Sequence, residues 1–351
     1  MNKKIIPLLL TLFLVSACKP DEPRNKNNAA STEKSEAPIE ASTGATAVTA
    51  NSSKESDAPV ETVLGEFSKN NHTYSFDVVT GATNGAYEGT AYTGKEKQEK
   101  MYWSGRPELG EIIGDYYHEE YEFDGGYVAS LDVVKKDDRL IAIEFDEKGP
   151  ANYYSADWAG ETKRLSGYAD FQAANNRTDV TLVTIVNAMT FLEHQMLEQN
   201  SLTGDFYSVR GSSNSVRNGY IPAANKLSER IANESKEKYY GLTKELGEGL
   251  YGRLIIIKDK DANKIIDAKY DEYFADTQEE INDADLKQYS RQSKYQSRTY
   301  SEESNQNFKK LVDELQKEIL NKQTLKIDTT DSSLQKNYSQ FIDDMNNMLT
   351  K

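Results

Sequence analysis

The chain holds one cysteine, Cys18, in 351 residues. That excludes an intramolecular disulfide framework and any cluster of thiolate metal ligands. Histidine is nearly as scarce: His72, His118 and His194 lie far apart, with no HExxH or Cys/His zinc spacing around them. A zinc hydrolase therefore has no ligand set. Positive charge is in deficit, since 42 Lys and Arg stand against 57 Asp and Glu for a net charge of −15. So acidic a chain repels the phosphates of nucleic acid and of anionic membrane surfaces. Apolar residues make up only 37%, so part of the chain is expected to lie outside any core. Length alone suggests about two domains. No hydrolase or transferase constellation emerges. Glu119-Glu120 beside His118 could suggest acid–base work, but successive strand residues point to opposite faces, so a solvated strand edge is expected. Tyr116, Tyr117 and Tyr121 with Trp103 read as half-buried sheet packing, or as an aromatic surface for a flavin or glycan.

What is present begins with an address. Lys3 and Lys4 precede an apolar stretch, Ile5–Ala17, too short for a bilayer span of roughly 20 residues and of the length of a secretory signal peptide. It ends Val15-Ser16-Ala17-Cys18, which looks like a bacterial lipobox. Residues 1–17 then read as a signal peptide and Cys18 as the lipid-attachment residue, anchored at the extracellular face of the cytoplasmic membrane by acyl chains worth about 0.8 kcal/mol per buried CH₂. From Lys19 to about Val63 there is no aromatic residue. Such composition cannot offset its ordering entropy and reads as a lipidated flexible linker, residues 18–63.

Aromatics return from Phe67 onward, and with them a weak internal repeat. Gly126–Val134, a charged turn and Leu140–Glu147 match Tyr251–Ile257, a charged turn and Ile265–Glu272. Each pair reads as a hairpin of half-buried strands. Ser166-Gly167-Tyr168 then corresponds to Ser293-Lys294-Tyr295. Ile185, Ala188, Met189, Leu192 and Met196 form a helical stripe, repeated by Phe308, Leu311, Val312, Leu315 and Ile319. A second helix closes each copy, roughly Pro222–Glu237 and Leu334–Leu349. The expected fold class is α+β: two diverged copies of a unit with a small antiparallel sheet plus helices, residues 64–237 with an N-terminal hairpin extension and residues 238–351. His72–Thr80 and Ala86–Thr93 alternate like strands of that extension.

Hairpin, helix, loop and closing helix behind a lipobox resemble the extracellular FMN-binding-domain lipoproteins of Gram-positive bacteria, a group that includes sex-pheromone precursor lipoproteins. Tyr270-Asp271-Glu272-Tyr273-Phe274, Arg291-Gln292-Ser293-Lys294-Tyr295 and the Phe308–Ile319 helix carry the likeness, which covers roughly Asp124–Lys351. The resemblance implies a loop between the last two helices reading Asp-x-x-(Ser/Thr)-Gly-Ala-(Ser/Thr), whose final hydroxyl an FMN transferase esterifies with flavin phosphate. Small residues let the backbone approach the phosphate, and helix-start amides can hold it. The first expected loop, Tyr207–Ser213, keeps Gly211 and the acceptor-type Ser213 but has Tyr207 for the acid and Arg210 for the hydroxyl. The second, Asp328–Ser333, has neither glycine nor alanine.

A full match lies elsewhere: Asp77-Val78-Val79-Thr80-Gly81-Ala82-Thr83, ahead of the first repeated unit. A partial one, Glu40–Thr46, falls in the linker. By resemblance, Asp77, Thr80, Gly81 and Ala82 form the recognition and phosphate-contact set and Thr83 the covalent FMN attachment point. A hairpin turn with Gly81 and Gly85 at positive φ is the other reading of that stretch. Two functions follow. One is a flavinylated electron carrier of extracellular electron transfer, fed by a membrane quinol-linked donor. The other is a diverged surface module that binds a partner without flavin. The signal-peptide tail, about Leu10–Ala17, could in addition be released as a peptide pheromone, as in the precursor relatives.

Overall fold

The computed structural model describes residues 62–69, 72–80, 105–174, 185–209, 213–303 and 307–351. Six strands form one antiparallel sheet in the order β5-β4-β3-β7-β8-β9. Strands β3 (Gly110–Phe123), β4 (Tyr127–Lys136) and β5 (Arg139–Lys148) make one meander. Strands β7 (Glu237–Gly247), β8 (Leu250–Asp259) and β9 (Lys264–Phe274) make the other. The two hairpins legible in the sequence are β4–β5 and β8–β9. Their period-2 alternation works as expected: Leu131, Val133, Ile143 and Phe145 are buried on one face of the first, Leu254, Ile256, Ala268 and Tyr270 on one face of the second. At the tips, Asp137 and Asn263 take positive φ of 54° and 51°, a conformation Asp and Asn tolerate better than most residues.

The two meanders join through β3 and β7, where Asp115 opposes Lys238. Tyr116 faces Val134 in the first meander and Tyr239 faces Ile257 in the second. Asp115 and Lys238 thus hold equivalent positions in their halves, and the two halves meet about a local twofold. The register also slips at the same place in each, between Val134 and Lys135 and between Ile257 and Lys258.

The sheet is curled. Strands β5 and β8 are four steps apart, about 19 Å in a flat sheet at the usual strand spacing. Yet Arg253 of β8 donates to Glu144 of β5 at 2.7 Å, which two side chains could not bridge across a flat sheet. The crossover segments close the curl, with the Ser293 N–H donating to the Leu165 carbonyl at 2.8 Å.

Helices cover the outer face. In the first half, α1 (Tyr168–Ala174) and α2 (Ile185–Gln199) are followed by a turn at Ser213–Ser215, a π turn at Val216–Tyr220 and α3 (Ile221–Ser228). In the second half come α4 (Arg298–Glu303), α5 (Phe308–Lys322) and α6 (Ser332–Met348). The predicted stripes on α2 and α5 are core, apart from Leu311, which is partly buried. The first closing helix departs from expectation: it stops at Ser228 and not at Glu237, because after Leu227 the run Glu229–Lys236 offers only Ile231 as an aliphatic to bury. The register of the repeat also differs. Lys148 bridges Thr162 and Tyr273 bridges Ser293, so Thr162 is the counterpart of Ser293, and Ser166 that of Ser297 four residues on.

A second sheet of order β1-β2-β6 unites β1 (Thr62–Lys69), β2 (His72–Thr80) and β6 (Tyr207–Val209). Strand β2 matches the expected His72–Thr80 strand, while Ala86–Thr93 lies outside the described residues. Among the described residues, no helix is long and apolar enough to cross a membrane.

Candidate functional site

The complete flavin-type motif enters the described structure on β2. Asp77 pairs with Leu64 of β1, and Thr80 pairs with Tyr207 of β6. Strand β6 lies in the segment between α2 and α3, where the degenerate loop Tyr207–Ser213 begins. The strand part of the motif, Val78–Thr80, thus pairs antiparallel with Tyr207–Val209, the first residues of that loop. Strand β6 is pinned to α2 by one side chain: the Tyr207 N–H donates to Gln195 Oε1, and Gln195 Nε2 donates to the Tyr207 carbonyl, both at 2.8 Å. Tyr207 stays 40% exposed, an aromatic residue opposite Thr80 of the motif strand. Gly81, Ala82, Thr83, Gly211, Cys18 and Glu40–Thr46 lie outside the described residues; Ser213 begins the helical turn before the π turn. In the second half, Asp331 caps α6 by accepting the Leu334 N–H at 2.8 Å, an ordinary N-cap.

The sequence reading missed a pair of equivalent buried clusters. Lys163 donates to Glu147, whose other oxygen accepts the Tyr220 hydroxyl at 2.9 Å. The ammonium sits 4.7 to 5.6 Å from the ring centroids of Tyr127, Tyr153 and Tyr168. At the equivalent place Lys294 reaches Glu272 at 2.7 Å and lies over Phe274, Tyr300 and Phe308. Glu272 also accepts from Tyr270 and Asn337, each at 3.0 Å. Each lysine is thus held by a carboxylate and surrounded by three aromatic rings. The signal was present: Asp-Glu closes each hairpin, with a lysine 16 and 22 residues later.

The aspartates beside these glutamates face inward. Asp146 Oδ1 accepts the N–H groups of Glu147, Lys163 and Arg164 at 2.7, 3.2 and 2.9 Å. Asp271 accepts those of Glu272 and Tyr295 at 2.7 and 3.0 Å and the Ser293 hydroxyl at 2.5 Å. Burial nonetheless dominates and raises the two carboxyls to about 6 and about 7. Together they tie each crossover segment to its strand.

Both aspartates border the lumen of the curled sheet, a cavity of about 440 Å³. On one wall Asp132 accepts the Tyr116 hydroxyl at 2.5 Å and meets His118 Nδ1 at 2.7 Å. The hydrogen bond to Asp132 raises the His118 pKa. Burial alone would push Asp132 upward, but the His118 hydrogen bond, Lys269 and the Tyr116 hydrogen bond outweigh it and hold the carboxyl low. On the opposite wall Arg253 joins Glu144 to the Tyr239 hydroxyl, the latter at 2.8 Å. His118 and Glu120 are exposed as expected, but Glu119 is not at a solvated edge. Strand β3 is interior, and Glu119 is buried on its other face, paired with Lys226 and Arg230 from the α3 side. Tyr116 and Tyr117 are sheet packing, both buried; Trp103 lies outside the described residues.

Among the described residues, no group of three or more His, Cys, Asp or Glu is placed to hold a metal ion. Compared with protein-family models, curated proteins and solved structures, the chain matches none.

Proposed function

We propose that the chain is a cell-surface lipoprotein, anchored through acylated Cys18, that carries FMN covalently on Thr83 and relays electrons outside the membrane. One observation carries the reading: the motif strand is in register with the strand entering the interhelical loop, Thr80 opposite Tyr207. Three residues span at most about 11 Å, so Thr83 follows within that chain length of Thr80, whose partner Tyr207 opens the segment where the resemblance places the flavin loop. The repeated order of elements and the equivalent Lys163–Glu147 and Lys294–Glu272 clusters support two diverged copies of one FMN-binding-like unit. The degenerate loops of both copies fit a protein in which attachment has moved to the motif that begins on β2.

The residues present suit the group in a definite way. Residues as small as Gly81 and Ala82 would let the backbone approach a phosphate, Thr83 would supply the ester oxygen, and the half-exposed Tyr207 would offer a ring face for the isoalloxazine. The lumen suits it poorly, because its acidic lining opposes a phosphate. When bound, the flavin supplies the redox chemistry. The chain positions it, with Gln195 fixing β6 and β6 fixing β2. An FMN transferase and a membrane quinol-linked donor are the partners this role requires. The test is in-gel flavin fluorescence after denaturation, with the protein co-expressed beside an FMN transferase: a fluorescent band for the natural sequence and none for Thr83→Ala. A dark band for both would defeat the reading.

A further inference from the structure

The lumen is a second built space that the flavin reading leaves unused. Its volume of about 440 Å³ lies within the range of small-molecule sites. Its charges are largely spoken for. Asp132 holds Tyr116 and His118, Glu144 holds Arg253, and Arg164 is taken by Glu193. Asp146 and Asp271 hold backbone and hydroxyl donors. Asp267 and Lys269 pair with each other at 3.7 Å on the lip. An anion entering this half-buried space would meet an acidic lining, and a cation would have to break one of these pairs or stay at the exposed Glu120 on the rim, so a neutral ligand costs least. What the walls still offer is a dense mixture of acceptors and donors beside tyrosine rings. Carboxylates have lone pairs beyond those already used. Ser130 stands in register between Glu120 and Asp146. The rings of Tyr116 and Tyr239 lie 5.8 Å apart at the centre.

We propose that the lumen binds a small neutral polyhydroxylated ligand of monosaccharide or disaccharide size. Vicinal hydroxyls each donate and accept, so they match a wall on which carboxylates alternate with guanidinium and hydroxyl groups. The less polar face of the sugar ring lies against the tyrosines. The space adjoins a shallower groove of about 620 Å³ past Tyr116, His118 and Lys269, which gives the ligand an approach.

The experiment is calorimetric titration of the full chain with glucose, N-acetylglucosamine and maltose, and separately with choline and inorganic phosphate. The expected result is saturable binding of at least one sugar with a Kd of about 1 mM or tighter, and weaker binding of both ions. Ser130→Ala removes a hydroxyl without opening an ion pair. It should leave the melting temperature unchanged and weaken that sugar at least fivefold. Glu144→Gln should weaken it further. Absence of saturable binding by all three sugars overturns the proposal. So does stronger binding of choline or phosphate, or a sugar affinity unchanged in both variants. None of these outcomes depends on flavin at Thr83.

Discussion

At the scale of single residues, the most consequential groups are the two caged lysines. The side chains of Lys163 and Glu147 are 7% and 0% exposed. Removing one partner leaves a buried charge without its counterion, typically costing 3–5 kcal/mol. Lys163→Met should therefore lower unfolding free energy by about 3 kcal/mol or more in urea titrations, whereas Lys226→Met, at the exposed side of Glu119, should cost about 1 kcal/mol because Arg230 remains. Asp146 and Asp271 give a pH dependence of definite sign. Their folded pKa values, about 6 and about 7, lie above the ordinary value, so the fold binds protons more tightly than the unfolded chain does. Their contribution to stability is full below about pH 4 and is lost as the pH rises through 6 and 7. Acidification from pH 8 to pH 5 should stabilise the natural protein more than the Asp146→Asn/Asp271→Asn double variant. The difference should be about 1 kcal/mol per carboxyl or somewhat less, after allowance for solvent at half-buried sites. Equal gains in both proteins would contradict this account of the two carboxyls. Residue chemistry of this kind was only partly legible. The Asp-Glu pairs were visible as hairpin ends, but which lysine each glutamate meets is decided by crossover segments with no periodicity to read.

At the scale of elements, hairpins and stripes were legible because one face of each is apolar at a regular period. Strands β3 and β7 were not. Both carry polar or aromatic residues on the lumen face and polar or charged ones among their buried positions, Thr243 and Glu119 included, so no clean alternation marks them. The entry to the closing helix of the first half has a local cause of its own. Pro222 has no N–H to give the preceding turn, and a π turn ends just before it, with the Ile221 N–H donating to the Val216 carbonyl. That wider turn places the Tyr220 hydroxyl on Glu147 and presses Gly219 against Phe123. A Cβ at position 219 would come within 2.6 Å of the Phe123 ring. Gly219→Ala should cost about 1–3 kcal/mol by overpacking, read as a lowered melting temperature. At the other end of the chain, Asp331→Ala should cost about 1 kcal/mol through loss of the α6 cap, with little change elsewhere.

At the scale of the whole molecule, the sequence pattern indicated a repeated α+β unit but not that the repeats share one curled sheet. That depends on β3 meeting β7 and on Arg253 reaching Glu144, long-range contacts that leave no local trace. The same holds for the motif at Asp77–Thr83. Read along the chain it precedes the first repeated unit, while the β2–β6 pairing sets its strand part, Val78–Thr80, against Tyr207–Val209. The account therefore turns on one covalent bond. Intact-mass spectrometry of the protein co-expressed with an FMN transferase tests it most directly. The account predicts a single FMN increment that peptide mapping assigns to Thr83 and that vanishes in Thr83→Ala. An unmodified mass, or an increment mapped to Ser213 or another hydroxyl, would contradict it.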